Sequence, residues 1–420
     1  MENRIMEKRV VVTGMGILSC AGGRLDTFWK NVVEGNCGIE TITEYPDNDL
    51  DVKIGGKIRN FNPEEYGIEK PFSRKQDKFV VYAMASACQA MEDSGLVSGE
   101  NIDPYRFGCF IGSGCGGFET ICEATKSIVD FPTGKWVSPH FVPKNIINMA
   151  AGQIAIRFQA QGPNMGIVTA CATSTHALGE AYRTIKHGYA DAMITGGSDN
   201  CTIPVGIAGF TNTKALSLRN DPKHSLRPFD KNRAGFVMAD GSAMLVLEEY
   251  EHALKRGAHI YAEVVGYGST CDAYHATAPR PDAEPQAECI RQALKEASFD
   301  SASDKVYVNA HGTGTVLNDS TETKALKLAF GDYAGKLHIS STKSVHGHMI
   351  GATGAAEAIA SVLALRDDTV PPTINLTDPD PECDLDYTPG KAIKTELTLA
   401  ISDSFGFGGH NACVAFRKIR

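Results

Sequence analysis

No apolar stretch of the 420-residue chain approaches the roughly 18 residues that a membrane-spanning helix needs, so no membrane partner is expected. The opening segment MENRIMEK lacks the apolar core and cleavage site of a secretory signal, and the cytoplasm is the expected location. Excess positive charge is also missing. With 41 Lys+Arg against 50 Asp+Glu the net charge is -9, which argues against a general nucleic-acid binder but allows a local basic patch. The 12 cysteines include no C-x-x-C pair, so the common zinc and redox signatures are absent and no metal is expected. Outside a secreted context disulfides are not expected either, and most of these thiols read as small buried hydrophobes.

What remains is an ordinary globular composition, 42% hydrophobic and 22% charged, in a chain long enough to bury a large core. Short β-branched runs recur: Arg9 to Thr13 before a Gly14-Met15-Gly16 turn, Phe107 to Gly112, Met165 to Thr169, Ala192 to Thr195 and Ser242 to Leu247. The theme repeats with Tyr261 to Val265, Val306 to Asn309, Leu337 to Ser341 and Leu397 to Ser402. Helical stretches separate several of them, which predicts an α/β fold with mostly parallel pairing.

Two segments share one plan of strand, small-residue turn and helix: MGIVTACATSTHALGEAYRTIKHG and LHISSTKSVHGHMIGATGAAEAIASVLALRDD. Leu178, Ala181, Tyr182 and Ile185 line one face of the first helix, and Ala355, Ala358, Ile359 and Val362 do so in the second. The chain therefore reads as two similar halves, 1–257 and 258–420, with no low-complexity linker between them.

Cys171 falls where the first of these strands turns into its helix. A helix start favours an anion and lowers a thiol pKa, giving a nucleophile suited to a thioester carbonyl. The alternative at this point is a structural Cys in a tight turn. In the second half His311 follows a strand directly, within NAHGTGT, and His348 lies in SVHGH at the duplicated turn. If the halves are related by a pseudo-twofold, that turn faces Cys171, and two imidazoles could then donate to a thioester carbonyl or enolate. His346 and His348 also form an H-x-H pair, but no third metal ligand sits at a suggestive spacing.

Taken together, TACATSTHA, VNAHGTGT, SSTKSVHGHMIGATGAAE and DSFGFGGHN resemble the signature set of elongating β-ketoacyl-[acyl-carrier-protein] synthases, condensing enzymes of the thiolase superfamily. The likeness extends over nearly the whole chain, through RPFDKNRAGFVMADGSAMLVLEEYEHALKRGA and PPTINL. It implies a thiolase-type duplicated fold layered α-β-α-β-α, a homodimer, no cofactor, and an acyl carrier protein as partner. The implied reaction is a decarboxylative Claisen condensation on Cys171, with His311 and His348 assisting decarboxylation. The resemblance further implies a buried Lys343 and Glu357 pair, an oxyanion hole using the Phe407 backbone, and a gate at Phe407 and Gly408. Thr313, Thr315, Thr277, Cys115 and Phe210 are implied substrate contacts, and Arg74, Lys75 and Lys214 implied carrier-docking residues, with Lys78 and Arg219 as further candidates.

Two positions depart from the family pattern: Asp403 stands where Asn is usual, and His410 where Thr is usual. Other readings separate on single features. GSGCGG formally fits a dinucleotide loop, but it is central in the chain and no acidic strand end follows. A degradative thiolase needs a second catalytic Cys where Phe405-Gly406-Phe407 stands, and an initiating synthase has Asn where His348 stands. A non-catalytic chain-length partner subunit would lack Cys171. A dedicated polyketide or polyene ketosynthase would share the whole motif set.

Overall fold

The computed structural model describes residues 7–46 and 49–419. Ten strands form one continuous sheet. They are β1 (Val10–Ser19), β2 (Phe107–Gly112), β3 (Asn164–Ile167), β4 (Ala192–Asp199), β5 (Gly241–Glu249), β6 (Ala262–Cys271), β7 (Val306–Asn309), β8 (His338–Ser340), β9 (Leu399–Gly406) and β10 (His410–Arg417). Their spatial order is β8-β7-β9-β10-β6-β1-β5-β4-β2-β3. Counted outward from the centre, β1-β5-β4-β2-β3 and β6-β10-β9-β7-β8 are the same path traced twice. The two runs meet where Val10–Val12 pairs antiparallel with Ala262–Val264.

Five helices complete the layers: α1 (Lys78–Ser94), α2 (Thr173–Lys186), α3 (Glu284–Glu296), α4 (Val316–Phe330) and α5 (Thr353–Asp367). Helices α2 and α5 pack on each other and each touches strands of both runs, so they form the central layer. Their composition suits that place: Leu178, Ala181, Tyr182 and Ile185 are buried on α2, and α5 is buried from Thr353 to Leu365, with Ala and Gly letting backbones approach. Helix α1 covers the outer face of β1 and β5, and α3 covers β6 and β10 with α4 beside it. The result is the α-β-α-β-α sequence of layers.

Two expectations fail: five of the nine strand pairs in the sheet are antiparallel, so pairing is not mostly parallel, and an expected glycine turn is absent. Gly14-Met15-Gly16 is no turn; β1 runs straight through it for 10 residues, with a bulge between Val12 and Gly14. A Cβ on Gly14 would lie 2.2 Å from the Ala90 carbonyl oxygen of α1, and one on Gly16 would lie 2.1 Å from that of Ser86. These glycines serve close approach of helix to strand. Among the described residues no helix is long and apolar enough to cross a membrane.

Candidate active site

Strand β3 ends at Ile167, and a single 3₁₀ turn, Ala170–Ala172, leads into α2. Ala170 is held at φ 51°, a left-handed conformation that costs a non-glycine residue about 1–2 kcal/mol. The turn is pinned by Thr173 Oγ1, which accepts from the Thr169 N–H at 2.8 Å, and by the Ala172 N–H, which donates to Thr169 O at 3.1 Å. The side chain of Cys171 is thereby directed inward, with 7% of the residue exposed.

His311 lies two residues past β7. Its backbone N–H donates to Glu322 at 2.7 Å and to Asp403 at 2.8 Å, and its ring stands edge to face with Phe405 at 5.9 Å. His348 is clamped by its main chain to segment 237–239, and its Nδ1 pairs with Thr353 Oγ1 at 2.9 Å. The two rings meet edge to face at 5.7 Å. Cys171 Sγ and one ring nitrogen of each histidine all lie within 4.8 Å of one another. His311 Nδ1 and His348 Nε2 are buried without a protein partner, so each ring keeps a nitrogen free for chemistry. His346 turns away to Gly347 O and Thr342, which splits the H-x-H pair. Three convergent S and N donors also have the composition that a soft divalent ion takes.

Burial sets the protonation states. It pushes the Cys171 thiol up to about 12, against the opposing pull of the Lys343 ammonium and the Phe407 backbone N–H. The helix start therefore does not leave a free thiolate in this closed pocket. Burial, reinforced by Lys343, holds both His311 and His348 well below the ordinary 6.5, so both are neutral. Lys343 itself is fully buried and meets Glu357 at 2.5 Å. Removing one member of such a pair costs about 3–5 kcal/mol because the other charge is stranded.

A cavity of about 320 Å³ opens onto these groups. Cys171, His311 and His348 are on its wall, with Phe405, Gly406 and Phe407 beside them and Thr313, Thr315, Thr277 and Lys214 along the way out. Thr313 and Thr315 join their hydroxyls at 3.1 Å. Phe407 sits at the tip of the β9–β10 hairpin, where Gly408 at φ 85° and Gly409 at φ 75° make the turn and the Gly408 N–H donates to Ala276 O at 2.7 Å. Phe210 and Cys115 are not on this wall; both pack into an apolar cluster with Phe407. Arg74 and Lys75 are exposed and line no part of the cavity.

Comparison with known proteins agrees with this geometry. The model of the β-ketoacyl synthase N-terminal domain matches residues 7–253, and that of the C-terminal domain matches residues 261–377. The chain belongs to the β-ketoacyl synthase family. Among its relatives, the 3-oxoacyl-[acyl-carrier-protein] synthase 2 of Synechocystis sp. is 45% identical over 413 residues, 98% of each chain. The protein of the same name from Staphylococcus aureus is 47% identical over 411 residues, again 98% of each. A solved type II polyketide ketosynthase, in complex with its acyl carrier protein, superposes with a TM-score of 0.90 at 32% identity, covering 98% of this chain and all of that one.

In this synthase the two departures from the family pattern lie in different surroundings. Asp403 is fully buried behind His311, and burial raises its carboxyl to about 6. His410 is half-buried at the start of β10, 6.4 Å edge to face from His176. Sequence reasoning missed Glu322, whose carboxylate accepts the backbone N–H groups of both His311 and Gly312. A signal was present: Asp319, Glu322 and Thr323 fall at i, i+3, i+4 and make a polar stripe on the buried face of α4. Thr353, which orients His348, and Asp199, which accepts the N–H groups of Gly114, Cys115 and Gly351, carried no comparable signal.

Proposed function

We propose that this synthase elongates fatty acyl chains by two carbons, through decarboxylative condensation of a Cys171-bound acyl group with malonyl carrier protein. The observation that carries the reading is the convergence of one thiol and two neutral imidazoles at the base of a cavity. The Cys171 sulfur attacks an acyl thioester, its proton passes by way of a neighbouring imidazole nitrogen to the departing pantetheine thiolate, and the acyl group moves to Cys171. Malonyl thioester then enters. His311 and His348 donate to its thioester oxygen as carbon dioxide leaves, and the enolate formed attacks the acyl carbonyl and expels Cys171. The N–H groups of Cys171 and Phe407 stabilise the oxyanion, and the Phe407 N–H lies near enough to the sulfur to favour its anion. The curated relatives, at 45% and 47% identity, favour fatty-acid elongation over a polyketide role, where the solved ketosynthase stands at 32%.

The partners are an acyl carrier protein and a second copy of the chain. A carrier protein seated on a solved ketosynthase of this fold supports the first, with Arg74, Lys75 and Lys214 as its docking charges. The free edge of the sheet supports the second: β3 is exposed, Met165 and Val168 offer apolar surface on and just past it, and Val129, Phe131 and Trp136 are further exposed apolar side chains. The nucleophile belongs to the half 1–257 and the histidines to the half 258–420. The cytoplasm is the location that suits free thiols at all 12 cysteines.

Two measurements test the function. Intact mass spectrometry after incubation with acyl carrier protein is expected to show an acyl adduct on Cys171, and a panel of acyl carrier proteins with malonyl carrier protein is expected to give products longer by two carbons. An adduct on another cysteine, with Cys171→Ala fully active, would overturn the assignment.

A further inference from the structure

We propose that Cys115 and Cys201 form an oxidisable dithiol, and that its closure to a disulfide makes acyl-chain elongation respond to thiol redox state. Parallel strands β2 and β4 are neighbours, with Gly112 opposite Gly197. Cys115 and Cys201 each lie just beyond those paired positions, so both thiols emerge at the same edge of the sheet. Their sulfurs and an Asp199 carboxylate oxygen lie within 4.8 Å of one another, and the Cys201 thiol donates to Asp199 Oδ1 at 3.7 Å.

The surroundings favour thiol chemistry over a bound ion. Asp199 Oδ2 already accepts from the Gly114 and Gly351 N–H groups at 2.9 and 2.8 Å, and Oδ1 from Ser113 Oγ at 2.7 Å and the Cys115 N–H at 3.1 Å. That leaves two thiols as donors, too few for a tetrahedral site. A disulfide needs sulfurs about 2.05 Å apart and Cβ atoms about 3.5–4.5 Å apart, so the Cys115 segment must close a short gap. The N–H groups of Gly114, Cys115 and Gly116 are tied to Asp199 and Ser113, so closure comes chiefly from the side-chain torsions of the two cysteines.

Cys115 is half-buried and Cys201 fully buried, so Cys115 meets an oxidant first. With a low-molecular-weight disulfide RSSR, the Cys115 sulfur forms a mixed disulfide and releases one RSH. Cys201 then attacks the Cys115 sulfur, and its proton leaves with the second RSH. Two protein thiols are oxidised and one RSSR is reduced to two RSH.

Cys115, Cys201, Phe210, Phe407 and Ile350 belong to one apolar cluster behind the gate. Cross-linking ties the Cys115 loop to the end of β4 just where a long acyl tail must displace side chains. This consequence rests on the acyl chain reaching Cys115 and Phe210, the substrate contacts that the family resemblance implies; formation of the disulfide does not.

The test treats the full-length synthase with oxidised glutathione and reads peptide masses and elongation rates before and after dithiothreitol. The expected result is a linked Cys115–Cys201 peptide lighter by two hydrogens. With it, kcat/KM for long acyl chains should fall relative to short ones by roughly tenfold, the effect of excluding about two methylenes, and recover on reduction. Cys201→Ala and Cys201→Ser should keep basal activity and lose the redox response. Glutathione on Cys115 or Cys171 with no cross-link, or an equal loss of activity in the Cys201 variants, overturns the dithiol. A cross-link that leaves the chain-length profile unchanged overturns the coupling. Absence of any Cys171 acyl adduct, with the cross-link formed, removes the functional reading and leaves the dithiol standing.

Discussion

The turn that carries Cys171 has a twin in the other run of strands. Ala170–Ala172 precedes α2, and Ile350–Ala352 precedes α5; both are single 3₁₀ turns, both are followed by a threonine, and Ala170 and Ile350 share the same left-handed backbone at φ 51° and 50°. Yet the first holds a thiol at its centre and the second holds Gly351. A Cβ there would lie 2.6 Å from the Gly114 N–H nitrogen and 2.8 Å from Asp199 Oδ2, so no side chain fits. The second half instead spends the stretch between β8 and its turn on Lys343, His346 and His348. One backbone device is thus used once to aim a thiol and once to bring two backbones together, and the proposed chemistry draws on what the duplicated turns do not share.

Paired substitutions should break the symmetry in opposite ways. Cys171→Ala is expected to lower condensation by roughly four orders of magnitude or more, while urea denaturation shows a stability change of no more than about 1 kcal/mol, since the side chain faces a cavity. Gly351→Ala is expected to cost about 1–3 kcal/mol in the same denaturation experiment, through overpacking against fixed backbone. A Gly351→Ala protein as stable as wild type would mean that the second turn has slack the geometry does not show.

The division of labour between the halves predicts an intermediate effect. His311→Ala and His348→Ala should each reduce malonyl decarboxylation by roughly 10²–10³-fold, as loss of an oxyanion donor does. Cys171 should still acquire an acyl group, read by intact mass. Collapse of acylation with decarboxylation intact would reverse the assigned roles.

Burial keeps the groups of both halves uncharged, and pH should reveal it. With the thiol pushed up to about 12, iodoacetamide modification of Cys171 in the substrate-free synthase should still be climbing at pH 9, by about tenfold per pH unit. With both imidazoles held below 6.5, protonation that disables them begins only under more acid conditions, so the acid-side fall of decarboxylation should lie below pH 6.5. A plateau in alkylation near pH 8 would show the thiolate to be better stabilised than burial allows. The smallest effect belongs to the proposed docking charges, all in the first half. Arg74→Glu with Lys75→Glu should raise KM for carrier-bound substrates roughly five- to tenfold at low salt and less at high salt, with a small thioester unaffected.

Much of this was legible in the residues themselves. The strand–turn–helix repeat was visible because buried helices need small residues and strands need β-branched ones, and both patterns survive in one sequence. His311 stood out because it follows a strand directly, and Cys171 and His348 because they lie on the two matching stretches between strand and helix. Gly14-Met15-Gly16 misled because glycine marks turns and close approaches alike, and only the position of Ala90 and Ser86 on α1 separates them. Asp199 was hidden for a related reason: a buried carboxylate that satisfies backbone N–H groups from residues 114, 115 and 351 depends on long-range folding and has no local pattern.

The contact between β1 and α1 reaches further than the sheet. Gly14 touches the C-terminal end of α1 at Ala90 and Ser94, and Gly16 touches it at Ser86 and Gln89. The helix is 17 residues long, a rod of about 25 Å, and its other end begins at Lys78, just past the exposed Arg74 and Lys75. Two absent methyl groups therefore act as the bearing of a lever. A methyl placed at Gly14 would overlap the Ala90 carbonyl and Ser94, so the seat of the whole rod, whose far end starts just past the exposed Arg74 and Lys75, is set deep inside the sheet.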